Sequence, residues 1–171
     1  FEARTAPASG TIEADHAGVG VGDDATGTIT VEQGTVSAIT IRTAPDNGGS
    51  AFGDRVLTAD QEVTFYAAGY DGQGNYVRDV SATWSLDSGD LEDVGGTGTS
   101  YTYAPVTSGV SGVIRADSTG LTGDVTGTIT VNDGALDFVL IESDDTGSKN
   151  EVTTATISTD ETLVVYAAGY D

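Results

Sequence analysis

Carboxylates dominate the reactive side chains: 27 Asp and Glu stand against 6 Lys and Arg, with one histidine and no cysteine. Paired carboxylates can run acid–base chemistry when an apolar pocket raises the pKa of one of them. The densest group, Asp87, Asp90, Glu92 and Asp93, lies instead in a polar, glycine-rich stretch reaching to Gly98, where a solvated loop is expected. His16 has no second histidine for a zinc site and no nucleophile at a defined spacing, so it reads as a surface loop residue. The glycine runs at 18–22 and 72–74 fall between strand-like stretches with no helix after them, so they cannot aim a helix N-terminus at a phosphate. No catalytic, cofactor-binding or metal-ligating residue is assigned, and an enzyme is not expected.

Calcium is the next candidate chemistry. Asp15, Asp23 and Asp24 lie near one another in sequence. Asp117 and Asp124 hold comparable places about 100 residues on, close to Asp133, Asp144 and Asp145. Calcium wants several hard oxygen ligands, and such clusters could supply them. No Asp-x-Asp-x-Asp spacing occurs, so calcium stays an option without an assigned ligand. Tyr66, Tyr70, Tyr166 and Tyr170 fall on the strand face opposite Val63 and Phe65. They suit either cross-strand packing or a tyrosine corner, or else a recurring lateral contact between neighbouring domains or chains. An intramolecular Lys–Asn bond is ruled out between Glu32 and Val131, which contain no lysine. Asn47, Asn75, Asn132 and Asn150 all lack Ser or Thr two residues on, so N-linked glycosylation is not expected; O-linked sugar on outward threonines is left open.

The net charge of −21 argues against nucleic acid and anionic membranes as partners. Lys149 is the only lysine. Such a surface suits a high-salt or calcium-containing medium, or simply resists association. Without cysteine there is no disulfide framework, which is compatible with secretion. No signal peptide or membrane-spanning run is read, and any targeting signal is expected outside this stretch.

The elements that would position these groups repeat. YAAGYD occurs at Tyr66–Asp71 and again at Tyr166–Asp171, and TGTITV at Thr26–Val31 and again at Thr126–Val131. Both motifs recur 100 residues later, which predicts tandem domains of that length. Residues 1–31 then form the C-terminal part of one domain, 32–131 a complete domain and 132–171 the N-terminal part of the next. The two partial segments together lack counterparts of Gly72 to Ser100, including a central tryptophan strand, so a longer tandem polypeptide is expected rather than strand exchange between subunits.

Within the complete unit the pattern is of short strands with turn signals between them, and no 3.6-residue period appears. Val80, Ala82, Trp84 and Leu86 alternate with Ser81, Thr83 and Ser85, which predicts a strand with one buried face. Val63, Phe65 and Ala67 alternate in the same way. In the TGTITV strand, Ala25, Gly27, Ile29 and Val31 are expected on one face and the threonines on the other. The step from Val36 to Ile39 breaks the two-residue parity and predicts a bulge or kink. Asp71–Asn75 and 45–53 read as loops.

The alternating strand, the Asp71–Asn75 turn, the strand around Trp84, then Tyr101–Tyr103, Gly112–Ala116 and a terminal GTITV resemble the bacterial immunoglobulin-like domains of invasin-type surface proteins. The resemblance implies an all-β, Ig-like Greek-key β-sandwich used in tandem as an extracellular filament, surface layer or adhesin shaft. It implies a mechanical, non-catalytic role, with neighbouring identical repeats or chains as partners in a homopolymeric filament. The alternative is an adhesin-type module that binds carbohydrate or protein through the loops at 45–53 or 87–98.

Overall fold

Branched and aromatic residues alternating with small polar ones, punctuated by glycine, give strands and turns throughout. The computed structural model describes residues 4–18, 20 and 22–171; expectations that fall on Phe1, Val19 and Val21 lie outside the described residues. Among the described residues there is no helix. The N-terminal segment holds β1 (Ala8–Gly10), β2 (Glu13–Ala14), β3 (Asp24–Ala25) and β4 (Ile29–Val31). Next come β5 (Ala38–Arg42), β6 (Arg55–Thr58), β7 (Val63–Tyr70), β8 (Tyr76–Asp79) and β9 (Ala82–Gly89). They are followed by β10 (Gly95–Gly98), β11 (Ser100–Tyr103), β12 (Val110–Asp117), β13 (Asp124–Val125) and β14 (Ile129–Asn132). The last two are β15 (Phe138–Glu142) and β16 (Tyr166–Tyr170).

One sheet runs β10-β9-β12-β14-β6, with β13 beside β12; every pairing is antiparallel except β14 with β6. A second runs β11-β7-β5, with β8 also on β7. Three two-stranded sheets complete the description: β1 with β4, β2 with β3, and β15 with β16. Side chains from the two large sheets meet in one buried cluster that includes Ile41, Phe65, Trp84, Ile114, Ile129 and Val131. The Phe52 ring meets Phe65 edge-on at 4.6 Å, and Tyr101 stacks within 6.3 Å of Phe65 and 6.0 Å of Trp84. Trp84 donates its indole N–H to the Gly98 carbonyl at 3.2 Å, so its burial leaves no polar atom stranded. Removing a ring of this size from water contributes about 4–6 kcal/mol before entropy is counted.

The alternation of Val80, Ala82 and Trp84 with exposed Ser81 and Thr83 matches the expected buried face. Two other expectations need correction. Residues 87–98 are not a loop: β9 runs through Gly89 and returns as β10, while Leu91 is buried. The TGTITV stretch is not one alternating strand. Its strand begins only at Ile29 and Ile129, and Thr126 is buried with its hydroxyl accepting the Ile114 amide at 3.0 Å. The cause is close passage of backbone, since a Cβ on Gly127 would lie 2.3 Å from the Asp54 nitrogen. The stretch 10–15 is also broken, into β1 and β2, although its counterpart β12 is continuous. β12 has β9 along its other edge, and among the described residues β1 and β2 have no such partner.

Registers recur along the chain. β5 pairs β7 as Ala38↔Tyr70 through Arg42↔Tyr66, and β15 pairs β16 as Phe138↔Tyr170 through Glu142↔Tyr166, each residue 100 further on. Likewise β12 pairs β14 as Val110↔Val131 through Gly112↔Ile129, and β1 pairs β4 as Ala8↔Val31 through Gly10↔Ile29. The turns repeat as well: Phe52 N donates to Ile41 O and Val152 N to Ile141 O, both at 2.8 Å.

Candidate functional site

A polar cluster built around a repeated motif lies where YAAGYD ends. β7 delivers Tyr70, and Asp71 opens the tight turn into β8, with Gly74 at φ 82° supplying the left-handed step. The Asp71 carboxylate is buried and fully occupied. Its Oδ1 accepts the Gln73 amide at 3.0 Å and the Asn75 amide at 2.9 Å; its Oδ2 accepts the Gly34 amide at 3.0 Å. The Asn75 side-chain amide adds a donor to both oxygens. These bonds, the Asn75 amide foremost, hold the Asp71 pKa at about 2, below the ordinary carboxylate value.

Gly34 belongs to the strand-free stretch between β4 and β5, so the turn fastens the connecting chain to the sheet. That stretch is held again where Gln33 Nε2 donates to Tyr76 O at 3.1 Å and Ser37 N donates to Tyr70 O at 2.8 Å. Asn75 Oδ1 also accepts the Ala6 amide at 3.3 Å, joining the N-terminal segment to the same turn. A cleft of about 390 Å³ lies here, lined by Thr5, Ala6, Glu32, Gly34 and Asp71 among others. The counterpart 100 residues on is Asp171, whose Oδ2 accepts the Gly134 amide at 2.7 Å. There Asp60 accepts the Ala135 amide at 3.3 Å and Asp133 accepts the Ser108 hydroxyl.

On the other side of β7, Arg42 donates to Gly48 O at 2.9 Å, to Gly49 O at 2.7 Å and to Tyr70 Oη at 3.2 Å. Tyr70 in turn donates to Asn47, and its ring meets Tyr76 edge-on at 5.9 Å. Tyr76 donates to Asp79 at 3.0 Å, and burial together with that carboxylate pushes its pKa up to about 12. The corresponding corner is inverted in polarity. Glu142 replaces Arg42 and accepts the Tyr170 hydroxyl, while Lys149 replaces Gly49 and lays its ammonium 4.8 Å from the Tyr170 ring centre. Glu142 is fully buried, and its Oε2 has no hydrogen-bond partner. Burial is also the main reason the Tyr170 pKa lies above its ordinary value.

The acidic residues grouped by sequence are dispersed. Asp124 accepts the Ile41 amide at 2.8 Å, Asp23 the His16 amide at 3.2 Å, and Asp24 the Ala25 amide at 3.0 Å. Asp144 is taken up by Thr146 and Asn150, and both bonds lower its pKa, Asn150 the more. Among the described residues no three Asp, Glu or His side chains converge on a point that could hold a metal ion. Asp87 bonds Arg115 at 2.6 Å, Asp90 accepts the Ser111 amide at 2.7 Å and Glu92 accepts the Thr107 hydroxyl at 2.5 Å. Asp87 and Asp90 tie the end of β9 to β12, Glu92 ties two connecting segments together, and the three do not converge on a cleft. His16 is exposed, with its Nδ1 accepting the Gly18 amide at 2.8 Å.

Sequence reasoning read Asp71 as a turn residue and missed its bond to Gly34. It also missed Asp54, which accepts the Thr128 amide at 2.8 Å, and Asp60. One available signal was that Asp71 and Asp171 both close the repeated motif, although the strand grammar of YAAGY does not require an acid. What the cluster does chemically is fasten backbone to backbone. No known family model, curated protein or solved structure matches the chain.

Proposed function

We propose that this chain is a structural segment of a tandem array of Ig-like β-sandwich domains in an extracellular filament or cell-surface shaft, with a mechanical role and no catalysis. In this reading residues 32–131 form one whole domain, 1–31 close the preceding one and 132–171 open the next. The observation that carries it is the recurrence of strand register at 100 residues, in β5–β7 against β15–β16. The Asp71–Gly34 and Asp171–Gly134 bonds support it, because each fastens a connecting stretch to the sheet that follows it and so limits bending between units. A −21 charge suits a surface that must stay soluble at high local density, and the invasin-type resemblance supplies the extracellular setting. Neighbouring identical units are then the partners.

Pulling the chain between its ends tests this. The unit at 32–131 is expected to give one cooperative rupture, with a contour gain of about 330–360 Å less the span of the folded unit, for roughly 100 residues at 3.3–3.6 Å each. A featureless force curve, or ruptures unrelated to that length, would overturn the reading.

A further inference from the structure

Of the arginines in the unit at 32–131, Arg42 donates to the Gly48 and Gly49 carbonyls and Arg115 pairs with Asp87. Arg78 on β8 is not engaged in this way. It is exposed, and among the described residues its guanidinium has no hydrogen bond and no ion pair, although the chain carries 27 acids. A groove of about 560 Å³, which Arg78 lines, opens between the β8–β9 connection and the turn at 118–121. That volume falls in the range of small-molecule sites.

The groove is built on fixed elements. Val36 and Val80 line it, and both pack over Gly69, where a Cβ would meet Val80 Cγ1 at 2.8 Å and Val36 Cγ1 at 2.9 Å. The turn that brings Ser118 and Thr119 is closed by Leu121 N donating to Ser118 O at 3.1 Å. It is tied to the entry of β5, where Thr122 N donates to Ser37 O at 2.9 Å and Ile39 N to Thr122 O at 2.8 Å. Among the described residues the Ser81, Ser118 and Thr119 hydroxyls, all in the lining, make no hydrogen bond. Asp79 lines the groove too, but its oxygens are taken by the Tyr76 hydroxyl at 3.0 Å and the Asp46 amide at 3.1 Å, so it does not compete for Arg78. All of the lining falls within 35–121, inside the complete unit. Across the joint at 132–135, among the described residues, the hydrogen bonds from that unit reach no further than Ala135, the counterpart of Thr35. A preceding unit joined alike therefore meets the groove only at its Thr35 rim.

We propose that this groove binds a saccharide that carries a carboxylate, a uronate, with the carboxylate on Arg78 and the ring hydroxyls on Ser81, Ser118 and Thr119. A guanidinium offers paired N–H donors in the fork geometry that a carboxylate accepts. Serine and threonine hydroxyls both donate and accept, as sugar hydroxyls do, and Val36, Val80 and Leu121 give the C–H faces of a ring an apolar surface. The −21 charge repels a polyanion, so the ligand's charge must be sparse: one carboxylate among uncharged hydroxyls meets that condition. The charge of Asp79 keeps the affinity low. This activity is separate from the mechanical role, and either can fail without the other.

Heteronuclear NMR titration of the 171-residue chain with methyl glucuronide, methyl glucoside and acetate provides the test. Methyl glucuronide should shift the Arg78 Nε–H signal and the Ser81 and Thr119 amides saturably, while the neutral sugar and the bare carboxylate each bind at least about tenfold more weakly. Arg78→Gln should weaken methyl glucuronide by a similar factor, with Trp84 fluorescence showing that the unit stays folded. Arg55→Gln removes the same charge from β6 and should leave the affinity unchanged. No saturable shift with methyl glucuronide would overturn the proposal. Equal binding of methyl glucoside would remove the role of Arg78, equal binding of acetate would remove the saccharide, and an equal loss in Arg55→Gln would reduce the effect to diffuse attraction of anions. If the Arg78 signal moved with the protein's own concentration and not with the sugar, the ligand would be a carboxylate of a neighbouring copy and the saccharide assignment would fall.

Discussion

Asp71 accepts the Gly34 amide across 37 residues of chain at 3.0 Å, and the same carboxylate closes its own turn through Gln73 and Asn75. One side chain thus couples the local geometry of a hairpin to the path of the connecting stretch. A Cβ on Gly34 would lie 3.1 Å from the Asp71 Cβ, so a larger residue there would press the two segments apart by a few tenths of an ångström.

This coupling has a pH signature. The Asp71 pKa is held at about 2 by donors that are lost on unfolding, where a carboxyl titrates near its ordinary value of about 3.9. A depressed folded pKa gives stability that is full above the unfolded value and disappears as pH falls through the folded one. Urea midpoints should therefore drop between about pH 4 and pH 2. Asp71→Asn, which keeps one acceptor oxygen, should flatten that part of the curve; an unchanged slope would refute the assignment.

Trp84 centres the buried cluster, in contact with Phe65 and Tyr101. Trp84→Ala is expected to cost about 3–5 kcal/mol, measured by urea unfolding followed by circular dichroism. Trp84→Phe keeps much of the ring but leaves the Gly98 carbonyl without its donor, so a smaller loss is expected.

The strand around Trp84 was legible in the sequence because one face is buried and the alternation is strict over seven residues. The hairpin at 87–98 was not, because glycines at 89, 95, 96 and 98 and the acids between them look like a loop locally. What makes it a strand is pairing of Gly95–Gly98 with Ser85–Ala82, together with burial of Leu91. Thr126 was misplaced for a similar reason: the period-two pattern of TGTITV is real, but crowding by the 53–54 backbone at Gly127 breaks it. The Asp71 clasp was hidden because its key donor is 37 residues away, and nothing local marks Gly34. The likeness of the two YAAGYD strands was legible, since both copies pair with the strand before them in the same register.

Gly89 offers a sharp test of that hairpin. It sits at φ 96°, and a Cβ there would come within 2.2 Å of Ser111 O and 2.4 Å of Gly112 Cα. Neither atom belongs to a side chain that can swing away. Gly89→Ala should destabilise by at least about 1–3 kcal/mol, whereas Gly72→Ala, with open space around it, should change stability by less than about 1 kcal/mol. Equal thermal midpoints for the two variants would mean that β9 and β12 do not approach as described.

The inverted corner at Glu142 yields the last prediction. Arg42 satisfies two carbonyls and a tyrosine hydroxyl, whereas the buried Glu142 leaves Oε2 unpaired, and Lys149 holds φ 60° where Gly49 holds φ 61°. A buried oxygen without a donor is costly, and a positive φ favours glycine over lysine. Recreating the first corner in the second, as Glu142→Arg with Lys149→Gly, should add the carbonyl and hydroxyl bonds and relieve the backbone together. The readout is exchange at the β15–β16 amides, expected to slow by roughly tenfold for a gain of about 1.4 kcal/mol. Lys149→Gly alone should give part of the gain. Glu142→Arg alone should give less than the pair, because it sets the guanidinium beside the Lys149 ammonium at the Tyr170 ring. If the double variant exchanged faster than the unmodified chain, the equivalence of the two corners would fail even though their registers agree.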